Sequence, residues 1–186
     1  MSASIACGGA RTSAGESRPN RSWASRQERT APEDLAVAID QMRRLNRSAS
    51  EALVRQGIRG ATDVTGFGLL GHGLEMARAS GTTFVFEAAE LPALDGALEL
   101  ARAGLETDGA GHNRRFVTPA LEVAFGLPPE LLALAVDPQT SGGLLAAVPP
   151  ATLPRLRADL IDSGVEHWIV GRVDDRGGAD PGVRLA

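Results

Sequence analysis

Two stretches carry the residue types from which chemistry could be built. The first runs Ala61, Thr62, Asp63, Val64, Thr65, Gly66, Phe67, Gly68, Leu69, Leu70, Gly71, His72. Gly66 and Gly68 have no Cβ, so a second molecule can approach the backbone there. A helix opening just beyond them would offer free N–H groups and the positive end of its dipole to a phosphate. Asp63 is a carboxylate beside that turn, the donor type that holds the Mg²⁺ accompanying phosphates. The competing reading is a capped strand-to-helix turn that binds nothing, because isolated glycine-rich turns are common. The second stretch is Asp137, Pro138, Gln139, Thr140, Ser141, Gly142, Gly143. Its hydroxyls can cap a helix or bind an anion, and its paired glycines free the backbone. A tight turn before a strand would explain the same residues.

The remaining polar candidates are weaker. His72 falls opposite the Leu70 and Leu74 stripe of a helix, which leaves a polar crevice or an open helix surface as its surroundings. His167 sits alone in a strand pattern, where a structural role is the ordinary one. Arg43, Arg44 and Arg47 read as a solvated face. Cys7 precedes two glycines but has no cation or helix end nearby to activate a thiolate. Thr107 to Phe116 reads as a polar, glycine-rich loop, either near a ligand or simply a solvated connector.

The elements that must position these groups alternate along the chain. Ile58 to Val64 reads as a strand entering the first turn, with Asp63 and Thr65 as N-cap candidates and Leu70, Leu74 and Ala77 at helical spacing beyond it. Before it, Pro32, Glu33 and Asp34 open a helix with Leu35, Ile39 and Met42 on one face. A second helix from Ala49 to Arg55 ends at Gly57. After Gly81, Thr82 to Glu87 alternates as a strand, and Leu94, Leu98 and Ala101 mark a helix closing at Gly104. Pro128 and Pro129 open a short helix that leads into the second motif. Leu144 to Val148 then reads as a strand, Leu153 to Ile161 as an amphipathic helix, and Glu166 to Val173 as a strand.

These residues carry a resemblance. The Ala61–His72 block, followed downstream by Asp137 to Leu145, resembles the selenophosphate synthetase (selenide, water dikinase) family of the aminoimidazole ribonucleotide synthetase-like superfamily. The likeness spans about Pro32 to Val173 and corresponds to the C-terminal half of such enzymes. It implies an α/β (α+β) domain, with a mixed sheet and helices packed on one side. It further implies ATP and Mg²⁺ as cofactors and the conversion of ATP, selenide and water into selenophosphate, AMP and phosphate. Asp63 would then be a Mg²⁺ ligand contributed across a domain interface. Thr65, Gly66 and Gly68 would shape the phosphate-facing turn, with Thr140, Ser141, Gly142 and Gly143 in the nucleotide-facing wall and Gln139 a weaker candidate there. The family's N-terminal half carries the reactive Cys or selenocysteine, its adjacent Lys, most Mg²⁺-binding aspartates and most ATP contacts. No lysine-bearing glycine loop is recognisable here, so no catalytic residue is assigned, and the chain alone is expected to be inactive. Its partner would be the ATP-binding half or a second subunit, with selenide as small-molecule substrate and a homodimer left open.

Two other classes compete. One is a binding or regulatory module that keeps the fold without the chemistry. The other is a different superfamily member, such as a thiamine-phosphate kinase or hydrogenase-maturation homologue, against which Phe67 and the Asp137–Gly143 block argue.

Length and composition bound these readings. A chain of 186 residues suits one domain with a real core. Hydrophobic content of 43%, charged content of 23% and a net charge of −4 describe a globular protein without the footprint of a nucleic-acid binder. No apolar run reaches membrane-spanning length, and a single cysteine permits no internal disulfide, so cytoplasmic residence is expected. The Ser-, Gly- and Arg-rich residues 1–30 are expected to be a disordered leader, 31–174 the domain, and 175–186 a loose tail in which Val183, Arg184 and Leu185 could pair as an edge strand.

Overall fold

The computed structural model describes residues 3–8, 32–175 and 180–186. Seven strands form one sheet: β1 (Ala3–Gly8), β2 (Ala61–Asp63), β3 (Thr82–Phe86), β4 (Leu121–Val123), β5 (Leu144–Val148), β6 (His167–Asp175) and β7 (Gly182–Leu185). Their order is β2-β5-β1-β6-β3-β7-β4. Pairing is antiparallel from β2 across to β3, whereas β7 lies parallel to both β3 and β4. The helices are α1 (Pro32–Arg43), α2 (Arg47–Arg55), α3 (Gly68–Ser80), α4 (Ala97–Arg102), α5 (Asp108–Val117), α6 (Pro129–Val136) and α7 (Leu153–Asp162). The mixed α/β sheet expected from the sequence is present.

The side-chain alternation of β5 shows how the layers sit. Leu145 and Ala147 join the main core, built from Leu70, Leu74 and Ala77 of α3, Phe84 and Phe86 of β3, and residues of α5 and α6. Ala146 and Val148 point the other way, into a smaller cluster with Ala52 and Leu53 of α2 and Leu156 and Leu160 of α7. Most of the helical layer therefore covers one face, and α2 with α7 covers the opposite face at the β5 end.

Several expected boundaries move. Ala3–Gly8 is not a structureless leader: it pairs along both edges, with β5 and with β6, near the middle of the sheet. Its six residues are mostly small, so nothing in their own pattern announces a strand; the two neighbouring ladders supply its hydrogen bonds. The rest of the expected leader, residues 1–2 and 9–30, lies outside the described residues. β7 is not loose tail or sheet edge, because it lies between β3 and β4, with Val183 and Leu185 buried. β2 spans only Ala61–Asp63 of the expected Ile58–Val64 run. In α1 the expected apolar face is incompletely covered: Ile39 is 36% exposed, whereas Gln41 is 8% exposed. The stops at Gly57, Gly81 and Gly104 hold, each with a positive φ that only glycine adopts easily.

Candidate functional site

The two motifs are far apart in sequence and adjacent in space. β2 pairs with β5, bringing Asp63 opposite Leu144. The loops beyond continue the pairing: Val64 N donates to Gly143 O at 2.9 Å, and Gly142 N donates to Val64 O at 2.8 Å. Thr65 O then accepts from both Gly68 N and Gln139 N, each at 3.0 Å. The sequence candidates Asp63, Thr65, Gly66 and Gly68 are thus brought together with Gln139, Thr140, Ser141, Gly142 and Gly143. Asp63, Gly66 and Thr140 are exposed, Thr65 and Ser141 are half-buried, and Gly68, Gly142 and Gly143 are buried.

The glycines do different work. A Cβ on Gly66 would meet nothing within 4 Å, so its backbone is open to an approaching molecule. Gly68 has φ +67°, and a Cβ there would lie 2.8 Å from Val136 O and Asp137 O. It is required by the packing of the turn onto the end of α6 rather than by a ligand. A Cβ on Gly142 would come within 2.7 Å of Val64 O, so Gly142 lets the two loops touch.

The expected capping does not occur. Phe67 occupies the N-cap of α3 without a side-chain cap bond. Thr65 Oγ1 instead lies 3.2 Å from His72 Nε2, and Asp63 is one turn too early to cap. His72 is neither on an open surface nor in a crevice: it is 7% exposed, and Phe67 packs edge-on at 5.7 Å between ring centroids. Its Nδ1 faces the Glu75 carboxylate at 3.3 Å, without the alignment of a good hydrogen bond.

The segment Thr107–Phe116, expected as a loop, is helix α5 and contributes the residue that sequence reasoning missed. Asn113 is 4% exposed, and its Nδ2 donates to Gly66 O at 2.8 Å and to Val136 O at 2.9 Å. It ties the open turn to the end of α6, just before Asp137. Thr107 caps α5 through Ala110 N at 3.1 Å and reaches buried Asp137 at 3.4 Å. Gly109 fits against Pro138, where a Cβ would be 2.6 Å from Cγ. Thr107 followed by Asp108 is a helix-start signal that the flanking Gly109 and Gly111 obscured.

Around the turn the surface is aromatic and cationic. Phe67 is 47% exposed and stacks, tilted, on Phe116 at 5.7 Å, with the Arg78 guanidinium 5.5 Å from the Phe116 ring centre. The buried Gln139 carboxamide keeps an Nε2 with no hydrogen-bond partner among the described residues, closed off from the surface. Ser141 Oγ is turned to Arg44 O at 3.4 Å. Elsewhere, His167 bonds Val165 O and receives Arg157 Nε, and Arg44 and Arg47 pair with surface carboxylates, as ordinary structural groups do. Cys7 lies mid-strand in β1, in register with Leu145 and Trp168.

The fit to Mg²⁺ is that of a shared ion. Asp63 is an exposed carboxylate at a strand end. Among the described residues no group of three or more His, Cys, Asp or Glu side chains is placed to hold a metal. One carboxylate suits an ion whose other ligands are phosphate oxygens, waters or donors from outside these residues.

With this geometry in view, the relationships of the chain are informative. Residues 4–184 match the family model of AIR synthase related proteins, C-terminal domain. The chain belongs to this family. Its relatives include a selenide, water dikinase from Nitratidesulfovibrio vulgaris, 44% identical over 70% of this chain and 37% of the relative. Another selenide, water dikinase, from Caldanaerobacter subterraneus subsp. tengcongensis, is 38% identical over 82% of this chain and 44% of the relative. The chain thus spans about two fifths of the length of these relatives. A thiamine-monophosphate kinase structure from Stenotrophomonas maltophilia shares the fold, with a TM-score of 0.61 at 15% identity over 98% of this chain and 49% of the other. The resemblance drawn from the Ala61–His72 and Asp137–Leu145 blocks is thereby supported at the level of family. No helix of the described residues is long and apolar enough to cross a membrane.

Proposed function

We propose that this domain is the C-terminal half of a selenophosphate synthetase, and that it completes an ATP and Mg²⁺ site across an interface with an ATP-binding half, on the same or another polypeptide. The joined halves convert ATP, selenide and water into selenophosphate, AMP and phosphate. The observation that carries this reading is the backbone stitching of the two motifs to each other, with Asp63, Gly66 and Thr140 left exposed. When bound, Mg²⁺ would neutralise charge on the polyphosphate. Asp63 supplies one of its oxygens. Gly66 lets phosphate approach the backbone, while the exposed Thr140 offers a hydroxyl donor from the facing loop. The buried Asn113 holds the turn in shape before any ligand arrives.

The test is Asp63→Asn in the chain joined to a matching ATP-binding half. Asp63 is exposed and caps nothing, so the fold should be unaffected. Mg²⁺-dependent AMP formation should fall by at least about tenfold, as for loss of a metal-orienting group. Unchanged turnover and Mg²⁺ dependence would remove Asp63 from the site. A joined protein that binds nucleotide yet forms no selenide-dependent AMP would favour a non-catalytic binding module.

A further inference from the structure

At the root of the open turn the His72 imidazole lies between the Thr65 hydroxyl, to which it is hydrogen-bonded, and the Glu75 carboxylate, which faces it without an aligned hydrogen bond. Thr65 Oγ1 is 3.2 Å from Nε2 of His72, and Glu75 Oε2 is 3.3 Å from Nδ1. The imidazole is held on the remaining side by the edge-on Phe67 ring and is buried, whereas the Glu75 side chain is 52% exposed. Gly71 makes this possible, because a Cβ there would lie 2.7 Å from Phe67 Cβ and push the ring off His72.

The neutral imidazole has one donor and one acceptor nitrogen, and its neighbours choose between them. With the proton on Nε2, the Nδ1 lone pair would face the Glu75 carboxylate. With the proton on Nδ1, the carboxylate faces an N–H and the Nε2 lone pair is turned to Thr65. The second arrangement replaces a repulsive contact with an attractive one. Thr65 must then donate its only hydroxyl proton inward to Nε2, and its oxygen retains lone pairs alone for anything arriving over Gly66.

We propose that His72 is a positioning residue, oriented by Glu75, that fixes the Thr65 hydroxyl as an acceptor at the open turn. This deepens the reading of the turn as a phosphate and cation surface and rests on that reading for its ligand. It assigns Thr65 a partner of one class: a group that donates, such as a metal-bound water or a ligand O–H or N–H. Phosphate oxygens are left to the turn's backbone N–H groups and to donors on the facing loop. The side chain of Thr65 therefore belongs with Asp63 on the cation side of the site.

The experiment is long-range proton–nitrogen NMR of the ¹⁵N-labelled full chain. It has three histidines, so the His72 signals are assigned by their loss in His72→Gln. The expected wild-type pattern is a protonated Nδ1 and an unprotonated Nε2. In Thr65→Val, Nε2 should move downfield as it loses its donor. In Glu75→Ala, an exposed change, the ratio of Nδ1–H to Nε2–H forms should fall by about threefold, the size of effect expected from a half-exposed charge. A purely packing role for His72 would move neither signal. A wild-type His72 protonated on Nε2 overturns the proposal, as does an Nε2 resonance unmoved in Thr65→Val. The wild-type spectrum decides even where a variant folds poorly. Loss of the Asp63 effect in the turnover assay would leave these signals unchanged, so the two readings fail separately.

Discussion

At the scale of single residues, the glycines of the first motif separate ligand space from packing space. Gly66→Ala introduces a methyl into open space, so stability should change by less than about 0.5 kcal/mol. Gly68→Ala forces a side chain into the left-handed region and against the carbonyls of Val136 and Asp137, at a cost of about 2–4 kcal/mol. Denaturant unfolding of both variants measures the contrast. Phosphate approach at the turn adds a second expectation for Gly66→Ala: nucleotide binding by the joined halves should weaken while the fold stays intact. Equal stability losses at both positions would mean that Gly66 is held by contacts that the geometry does not contain.

At the scale of elements, α5 and α6 are the clamps on the site. Asn113→Leu keeps the branched heavy-atom shape but leaves Gly66 O and Val136 O without their shared donor. A loss of about 1–3 kcal/mol is expected from one buried and one part-buried acceptor. Hydrogen exchange should show faster opening of the turn around Gly66 than of β5, and equal protection in the variant and wild type would contradict the clamp. A second link joins α4 to α6, where Arg102 Nε donates to Glu130 at 2.9 Å. That bond, above all other causes, holds the Glu130 carboxyl below the usual carboxylate range. Because the folded-state value is the lower one, its contribution is present at neutral pH and disappears as pH falls through the ordinary carboxylate range to the depressed value. Arg102→Ala should therefore be less stable than wild type at pH 7, with the gap closing in acid. A gap independent of pH would assign the effect to packing instead.

At the scale of the molecule, the sheet is closed through its centre by β1, the strand earliest in the sequence. Removing residues 3–8 would leave β5 and β6 with facing unpaired edges near the middle of the sheet. The expected outcome is loss of the cooperative unfolding transition and of amide protection in β5 and β6. A truncated chain that unfolds like the parent would show β1 to be dispensable. The same topology explains why β7 is indispensable to the order of the sheet: among the described residues, it alone joins β4 to the other strands.

The sequence by itself determined the alternating α/β pattern, the glycine stops, and the two motifs with their chemistry. Those are local properties, since periodicity, a Cβ-free position and a carboxylate type are legible wherever they occur. The positions of Ala3–Gly8 and Gly182–Leu185 inside the sheet were not legible, because a strand's place depends on which edges it finds, and such short runs specify none. The same reason hid α5. Its glycines weaken the helical signal, and Gly109 is there to meet Pro138, a residue 29 positions away. Sequence spacing suggested that Thr65 caps a helix and left His72 undecided between crevice and surface. Only the tertiary structure could place that imidazole in the interior against the Thr65 hydroxyl, with Phe67 packed on the ring, because burial is a property of the assembled core.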